Sequence, residues 1–489
     1  MARNISMTMG LRNASSGLYL TQETFGFAVN CNGKSLKKKQ TLTLVAQDGG
    51  IHFKTHLNKF LYGDRDGNVK ADADAPSAET QWTILPQADG TWALKSAAGF
   101  FFHGTGDKLT AFVGGDDVPA DGRWVVHLAM HPQINLYNAM RKRYVHLSTD
   151  GELQCNEDVP WGEDALLNLI FFEEHPTGRY GLMACNGKYL ENSGKLVDAP
   201  NGNCQFLLGF HDDHISLCDD EGRFLSCVGG KGTVRVNKQK VTKDELFRIQ
   251  DSEPQFIIRN IFKNLNVSAR NGAEVKADQK LNDVQDTERF QFEVADGEVH
   301  VMSDKLKYWA PRDDGSLAVE TEKKSANTAF VVDYSAGNTV KFQHKASGKF
   351  LIAKPNGAMF ATGDASDEAA AFELAIINRP TLILRGQYGF LGVKGASGRV
   401  ECNRSHPDVF NLVSKNGEYY LQKDGKYWTV DQDGVACVSS SPVAFFFEFV
   451  QLSKALIKHK ESGKYIIGEQ NGGFKANGDR EETNTLWEF

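Results

Sequence analysis

The sequence predicts an all-β protein assembled from closed three-part bodies, and three features predict it. A four-residue phrase returns along the whole chain; proline-centred junctions divide its copies into equal groups; helical periodicity is nearly missing, with stretches such as 367–371 only about one turn long.

The phrase is plainest as Gly187-Lys188-Tyr189-Leu190, Gly348-Lys349-Phe350-Leu351, Gly425-Lys426-Tyr427-Trp428 and Gly463-Lys464-Tyr465-Ile466. Glycine tolerates φ > 0 and aromatics suit a half-buried pleat, so each copy reads as a turn feeding a strand. A second turn and strand follow, as at Asp66-Gly67-Asn68-Val69 or Asp433-Gly434-Val435-Ala436, and then a third strand with an aromatic near its start, as at Gln81-Trp82 or Arg289-Phe290. In order, the copies begin at Gly17, Asn58, Gly99, Lys142, Gly187, Gly222, Asn264, Leu306, Gly348, Tyr388, Gly425 and Gly463. Twelve copies in 489 residues give twelve internal repeats of about 41 residues.

A longer period lies above this one. Pro132, Pro254 and Pro380 each stand between two apolar strands, 122 and 126 residues apart, with three copies of the phrase in each interval. Proline suits the first residue of a strand, so these positions predict domain boundaries at 1–131, 132–253, 254–379 and 380–489. Three similar units of paired strands, one pair for a barrel wall and one for a cap, make a β-trefoil; four tandem β-trefoil domains are expected. A β-propeller has repeats of similar length, but the Gly-His and Trp-Asp signature is missing. No flexible linker composition separates the domains, which predicts a stiff assembly.

The net charge of −7, from 62 acidic and 55 basic residues, argues against bulk attraction to nucleic acid or anionic membranes. No apolar run reaches the length of a membrane span; the longest, 443–450, is broken by Glu448. The first residues lack a secretory layout, and eight scattered cysteines form no C-x-x-C pair, so free thiols in the cytoplasm are expected. The N-x-S/T sites at Asn4, Asn13, Asn266 and Asn403 then carry no consequence. No H-E-x-x-H, G-x-S-x-G, Walker A or G-x-G-x-x-G motif occurs, so no enzyme activity and no cofactor is expected. His211-Asp212-Asp213-His214 reads as a polar hairpin rather than a metal cluster. Asp64-Arg65-Asp66-Gly67-Asn68 reads as a hairpin turn, since Ala75 stands where an EF-hand needs its glutamate.

Longer stretches carry a family likeness: Phe25-Gly26-Phe27 with Ser35-Leu36-Lys37-Lys38-Lys39-Gln40; Ala129-Met130-His131-Pro132-Gln133 with Arg141-Lys142-Arg143-Tyr144; Asp158-Val159-Pro160-Trp161-Gly162; Lys243-Asp244-Glu245-Leu246-Phe247; Ile377-Asn378-Arg379-Pro380; and Gly425 to Val430. On these the chain resembles the fascins, actin-bundling proteins, from Gly10 to Phe489. The resemblance implies four tandem β-trefoils in a monomeric, non-enzymatic protein. Such a protein ties parallel actin filaments into tight bundles in filopodia and other protrusions, through two or more sites.

Filaments are polyanions in effect, so their docking faces should carry clustered Lys and Arg. The strongest cluster is Lys34 to Lys39, whose places in later domains read Asp158 to Glu163, Gln279 to Asp283 and Arg404 to Asp408, so the basic run is expected to lie outside the shared architecture. Ser35 stands before Lys37 in the S-x-K arrangement of basophilic kinases, and the resemblance implies that a kinase of the protein kinase C type uses it to switch bundling off. The resemblance also implies a first actin site where the first and fourth trefoils meet, carrying over Lys37, Lys38, Lys39, Arg385, Gln387, Tyr388, Lys394, Lys464 and Lys475. Vertebrate-like members have an acidic residue and a histidine at Gln387 and Tyr388, so a histidine pH switch is not carried over. Arg141, Lys142 and Arg143 are read either as filament contacts or as braces at the domain junction; Lys349 and Lys354 are weaker candidates for a second site. The competing reading is a carbohydrate- or ligand-binding trefoil array of the lectin kind. Such arrays tend to repeat their binding residues in each unit, and the basic residues here are not repeated.

Overall fold

The structure is a computed structural model that describes residues 6–47, 50–270, 272–282, 284–295, 297–480 and 482–489. Its strands form four sheets in chain order: twelve strands between Ser6 and Leu128, twelve between Gln133 and Asp251, twelve between Gln255 and Ile376, and thirteen between Thr381 and Glu488. The chain is four tandem β-trefoils. Among the described residues the only helical elements are eight 3-10 turns of three residues each, and no helix is long and apolar enough to cross a membrane.

The phrase turns are left-handed. Eleven of the twelve opening residues have positive φ, and among them Asn58, Lys142, Asn264 and Leu306 are not glycine. A Cβ on Gly187, Gly348, Gly425 or Gly463 would meet nothing within 4 Å, so the turn requires a backbone conformation and not space.

The exception is the tenth copy, the first of its domain. Asn13, Asn138 and Asn260 are fully buried and tie the first turn of their domain to its last. Asn138 Nδ2 donates to Asp244 O at 2.8 Å while its Oδ1 accepts from Arg141 N at 2.9 Å; Asn260 Nδ2 donates to Ala369 O at 2.9 Å and its Oδ1 accepts from Lys263 N at 3.0 Å. The fourth domain has Leu384 there, which can form neither bond, and its chain turns instead through a two-residue hairpin at Gln387 and Tyr388 between the paired Gly386 and Gly389.

Most units also share a 3-10 turn before the third strand, an element the sequence reading missed. In Ala78–Thr80, Lys243–Glu245, Asp286–Glu288 and Ala326–Thr328 the last side chain is buried and bonds back to the backbone N–H before the turn. Thr80 Oγ1 accepts from Ser77 N at 2.8 Å, Glu245 Oε2 from Thr242 N at 2.9 Å and Glu288 Oε1 from Gln285 N at 3.1 Å.

The described chain divides into two compact units, residues 1–158 with 167–250 and residues 159–166 with 251–489. In the first, two trefoil cores meet: Tyr180 Oη donates to Val126 O at 2.8 Å and accepts from Leu128 N at 2.9 Å, and Phe171 stacks on His127 at 3.8 Å. In the second, one continuous core runs through both trefoils, with Phe256 edge-on to Phe449 at 4.7 Å and Tyr419 Oη donating to Leu374 O at 3.0 Å. The segment 159–166 belongs to this second unit, where Gln255 Nε2 donates to Pro160 O at 2.7 Å and Gly162 N to Gln255 Oε1 at 2.8 Å.

All eight cysteines are free. Cys31, Cys155 and Cys437 serve the repeat: their thiols donate to Leu18 O, Arg143 O and Lys426 O at 3.2, 3.3 and 3.0 Å, in each case the second residue of a phrase. The sequons at Asn13 and Asn266 are buried, and Asn4 lies outside the described residues, as does Asp283.

Candidate functional site

The basic run is held out by its own turn. Beyond strand Val29–Gly33 the chain bends at Lys34 and Ser35, and Leu36 folds inward so closely that a Cβ on Gly10 would lie 2.5 Å from its Cδ1. Lys37 N then donates to Gln40 Oε1 at 3.2 Å, and the buried Gln40 donates to Thr21 Oγ1 at 2.9 Å. Lys38–Gln40 is therefore the same 3-10 turn found at Ala78–Thr80, Lys243–Glu245, Asp286–Glu288 and Ala326–Thr328. The expectation that the run stands outside the shared architecture is corrected: the backbone is shared and the charge is not. The matching residues are Ser77-Ala78-Glu79, Thr242-Lys243-Asp244, Gln285-Asp286-Thr287 and Ser325-Ala326-Asn327.

With Gln40 anchored inside, Lys37, Lys38 and Lys39 are exposed, and Ser35 is half-buried. Lys39 Nζ pairs with Glu23 Oε2 at 2.7 Å and holds the Glu23 carboxyl below the usual carboxylate range. Among the described residues Lys37 and Lys38 have no ion-pair partner. The local field is positive: burial first, then the charges of Lys38 and Lys39, push the pKa of His56 down.

Arg141 is turned inward. Its Nη2 donates to Cys227 O at 3.3 Å and also to Gly229 O, bracing the first unit of the second trefoil against the third. The brace lies within one trefoil, not across a junction. Lys142 is exposed at the left-handed turn position, φ 56°, and Arg143 Nη1 lies 3.0 Å from Asp158 Oδ1.

That last pair is one of a set. Lys59 pairs with Asp74, Lys349 with Asp364 at 2.9 Å and Lys464 with Asp479 at 2.9 Å, each a cation at the second phrase position with an aspartate fifteen residues on. Arg143, Lys349 and Lys464 therefore fill a repeated structural place. The fixed spacing is present in the sequence and could have been found there.

In the fourth trefoil Arg385 makes two bonds to Glu488 Oε2, from Nε at 2.8 Å and Nη2 at 2.7 Å. Gln387 is exposed at the hairpin tip and Tyr388 half-buried beside it. Lys394 and Lys475 line one cleft of about 340 Å³ with Arg399, Glu401 and Glu469. Lys394 pairs with Glu401 at 2.9 Å and Lys475 with Glu469 at 3.1 Å, the latter raising the pKa of Lys475. Arg399, exposed in this cleft, was missed from the sequence because nothing in the phrase marks it. Lys354 lies over the Phe360 ring at 5.5 Å.

The other polar clusters are engaged locally. Asp213 pairs with His214 at 2.7 Å and Arg248 at 2.6 Å, and His211 Nε2 bonds Ser216 Oγ at 2.9 Å. Asp64 takes the Asn68 N–H at 2.8 Å and Lys70 at 2.8 Å within its hairpin. Among the described residues no group of three or more His, Cys, Asp or Glu is placed to hold a metal ion.

A sequence profile of the Fascin domain matches residues 16–125, 134–249, 263–374 and 387–489. The chain belongs to the fascin family. Each fascin segment falls in one of the four trefoils. Fascin-2 of Mus musculus is 34% identical over 495 residues, covering 99% of this chain and 98% of that one. Fascin of Strongylocentrotus purpuratus is 34% identical over 506 residues, covering 100% of both, and Fascin-3 of Homo sapiens is 23% identical over 487 residues, covering 97% of this chain and 95% of that one.

Proposed function

We propose that this fascin-family protein is a non-enzymatic, monomeric crosslinker that packs parallel actin filaments into tight bundles in the cytoplasmic actin cytoskeleton of filopodia and similar protrusions. The observation that carries the reading is the exposed Lys37-Lys38-Lys39 run on a chain of net charge −7, set on a repeated turn whose counterparts lack it. A fold device would recur with the fold; a charge cluster confined to one unit of twelve is explained by a partner. An acidic filament is the partner that such a face attracts.

Bundling needs a second face. Lys37 to Lys39, and in the fourth trefoil Arg385, Gln387, Tyr388, Lys394, Lys464 and Lys475, are assigned to filament contact, as the family resemblance implies. Lys142 and Arg143, with Lys349 and Lys354 as weaker members, are assigned to the second; Arg141 leaves the set because its guanidinium bonds backbone carbonyls of its own trefoil. Two faces on one chain make capture of the second filament intramolecular in effect, which raises avidity with no added contact. Phosphorylation of Ser35 by a kinase of the protein kinase C type would place about −1.5 to −2 charges among the lysines and oppose docking.

Low-speed co-sedimentation with actin filaments tests the reading. The parent chain pellets filaments, and Lys37→Glu with Lys38→Glu leaves them in the supernatant. A carbohydrate-binding array would leave filaments unpelleted in both cases.

A further inference from the structure

The unit that carries the basic run departs from its siblings at one more place. Its second turn, between strands Tyr19–Gln22 and Val29–Gly33, has the tip Phe25-Gly26-Phe27. Corresponding tips elsewhere are small and polar, such as Asp66-Gly67, Asp150-Gly151, Ser193-Gly194, Asp314-Gly315 and Asn471-Gly472. Gly26 and Phe27 both take left-handed φ, 71° and 53°, a conformation that a phenylalanine adopts only under constraint. The result is that Phe25 stands 92% exposed, the most exposed large apolar side chain among the described residues, and Phe27 is 40% exposed.

The tip and the basic turn form one surface. Glu23 N donates to Ala28 O at 2.8 Å, closing the loop, and the Glu23 carboxylate reaches Lys39 at 2.7 Å. Lys59 Nζ lies 5.3 Å above the centroid of the Phe27 ring, fixing that ring under a cation and leaving its neighbour outward. A bare aromatic on a loop tied through Glu23 to the lysine-bearing turn is the composition of an interface centre, where one ring fills a socket and the charges around it orient the approach.

Resting on the filament-docking reading above, we propose that Phe25 is the apolar anchor of the basic face, inserting into a hydrophobic socket rimmed by carboxylates on the filament while Lys37 and Lys38 meet that rim. The lysines then set the approach and its salt dependence, and Phe25 sets how long the contact lasts. The two roles separate experimentally, because burial of a phenyl ring is nearly independent of ionic strength while lysine–carboxylate attraction is screened.

The experiment is filament co-sedimentation across a salt series with the parent chain, Phe25→Ala, Phe25→Leu and Lys38→Glu, each also melted thermally. Phe25→Ala should weaken filament binding at least about fivefold at every salt concentration with the parent's salt slope, Phe25→Leu should recover most of the loss, and Lys38→Glu should flatten the slope. Parent-like binding by Phe25→Ala, with Lys38→Glu impaired, overturns the anchor and leaves the docking face standing. Parent-like binding by both removes the docking reading as well. A lowered melting temperature for Phe25→Ala would show that the ring packs against its own fold, which also overturns the proposal.

Discussion

Arg143 Nη1 lies 3.0 Å from Asp158 Oδ1, fifteen residues on, and three other units repeat that spacing with a lysine. The recurrence marks Arg143, Lys349 and Lys464 as parts of the repeat before they are parts of any docking face. Pairs this exposed contribute at most about 1 kcal/mol each. Asp158→Asn should therefore barely move the melting temperature. Arg143→Ala should reduce filament bundling much less than Lys37→Glu; equal losses would show that the repeated position is also a docking position.

Leu306 opens its phrase copy at φ 57° although its side chain is not needed to fill the turn, which leaves it 47% exposed. A left-handed non-glycine residue costs about 1 kcal/mol. Leu306→Gly should raise the stability of the second unit by about that amount, and Gly348→Ala, at φ 69°, should lower it by a similar one. Denaturant midpoints measure both.

Tyr180 and Tyr419 make corresponding hydroxyl contacts in the two units, but Tyr180 Oη holds both Val126 O and Leu128 N, whereas Tyr419 Oη donates to Leu374 O. Removing the hydroxyl strands a buried N–H in the first case. Tyr180→Phe should cost about 2 kcal/mol and Tyr419→Phe about 1 kcal/mol, read as differential shifts in thermal unfolding.

Burial, and after it the charge of Glu293, push the pKa of Glu253 up to about 8 from an ordinary 4.5. An acid held neutral in the folded chain binds its proton more tightly than the unfolded chain does. Its contribution is full below pH 4.5 and is lost as pH rises towards 8, so stability should fall across that window. Glu253→Gln keeps the bond to Gln291, 3.0 Å away, and should remove this part of the pH dependence in melts between pH 5 and 8.

Ser35 is half-buried beside exposed Lys34 and the inward Leu36. Ser35→Asp should weaken bundling in the same co-sedimentation assay, and by more at low ionic strength than at high, because the effect is one charge against neighbouring lysines. Ser35→Ala should bundle as the parent does. Bundling by Ser35→Asp equal to the parent at low salt would count against charge reversal as the switch.

Much of this was legible in advance because trefoil repeats are local. A glycine with an aromatic two residues on fixes a turn and a strand by short-range sterics, so the twelvefold phrase reports the all-β fold without any long-range information. The departures were less legible. At Tyr388 the phrase is present but the left-handed turn is not: the chain reverses through a hairpin between Gly386 and Gly389, and Leu384 stands where the first units of the other domains have a turn-bonding asparagine. The 3-10 turns escaped notice because their signature is a side chain three residues along, glutamine, glutamate or threonine by turns, bonding back to the main chain.

By itself the sequence determined that the chain is β throughout, that it repeats twelve times, and that one unit carries an isolated run of lysines. Only the tertiary structure decided which cations face solvent and which are spent: Lys37 and Lys38 stand free of ion pairs among the described residues, Arg141 is folded onto carbonyls 86 or more residues away, and Arg143 is matched to an aspartate across its hairpin. The reason is one of range. Backbone preference is set within a few residues, whereas a charged side chain takes whichever acceptor the packed chain brings within about 4 Å, and that partner has no fixed address in the sequence.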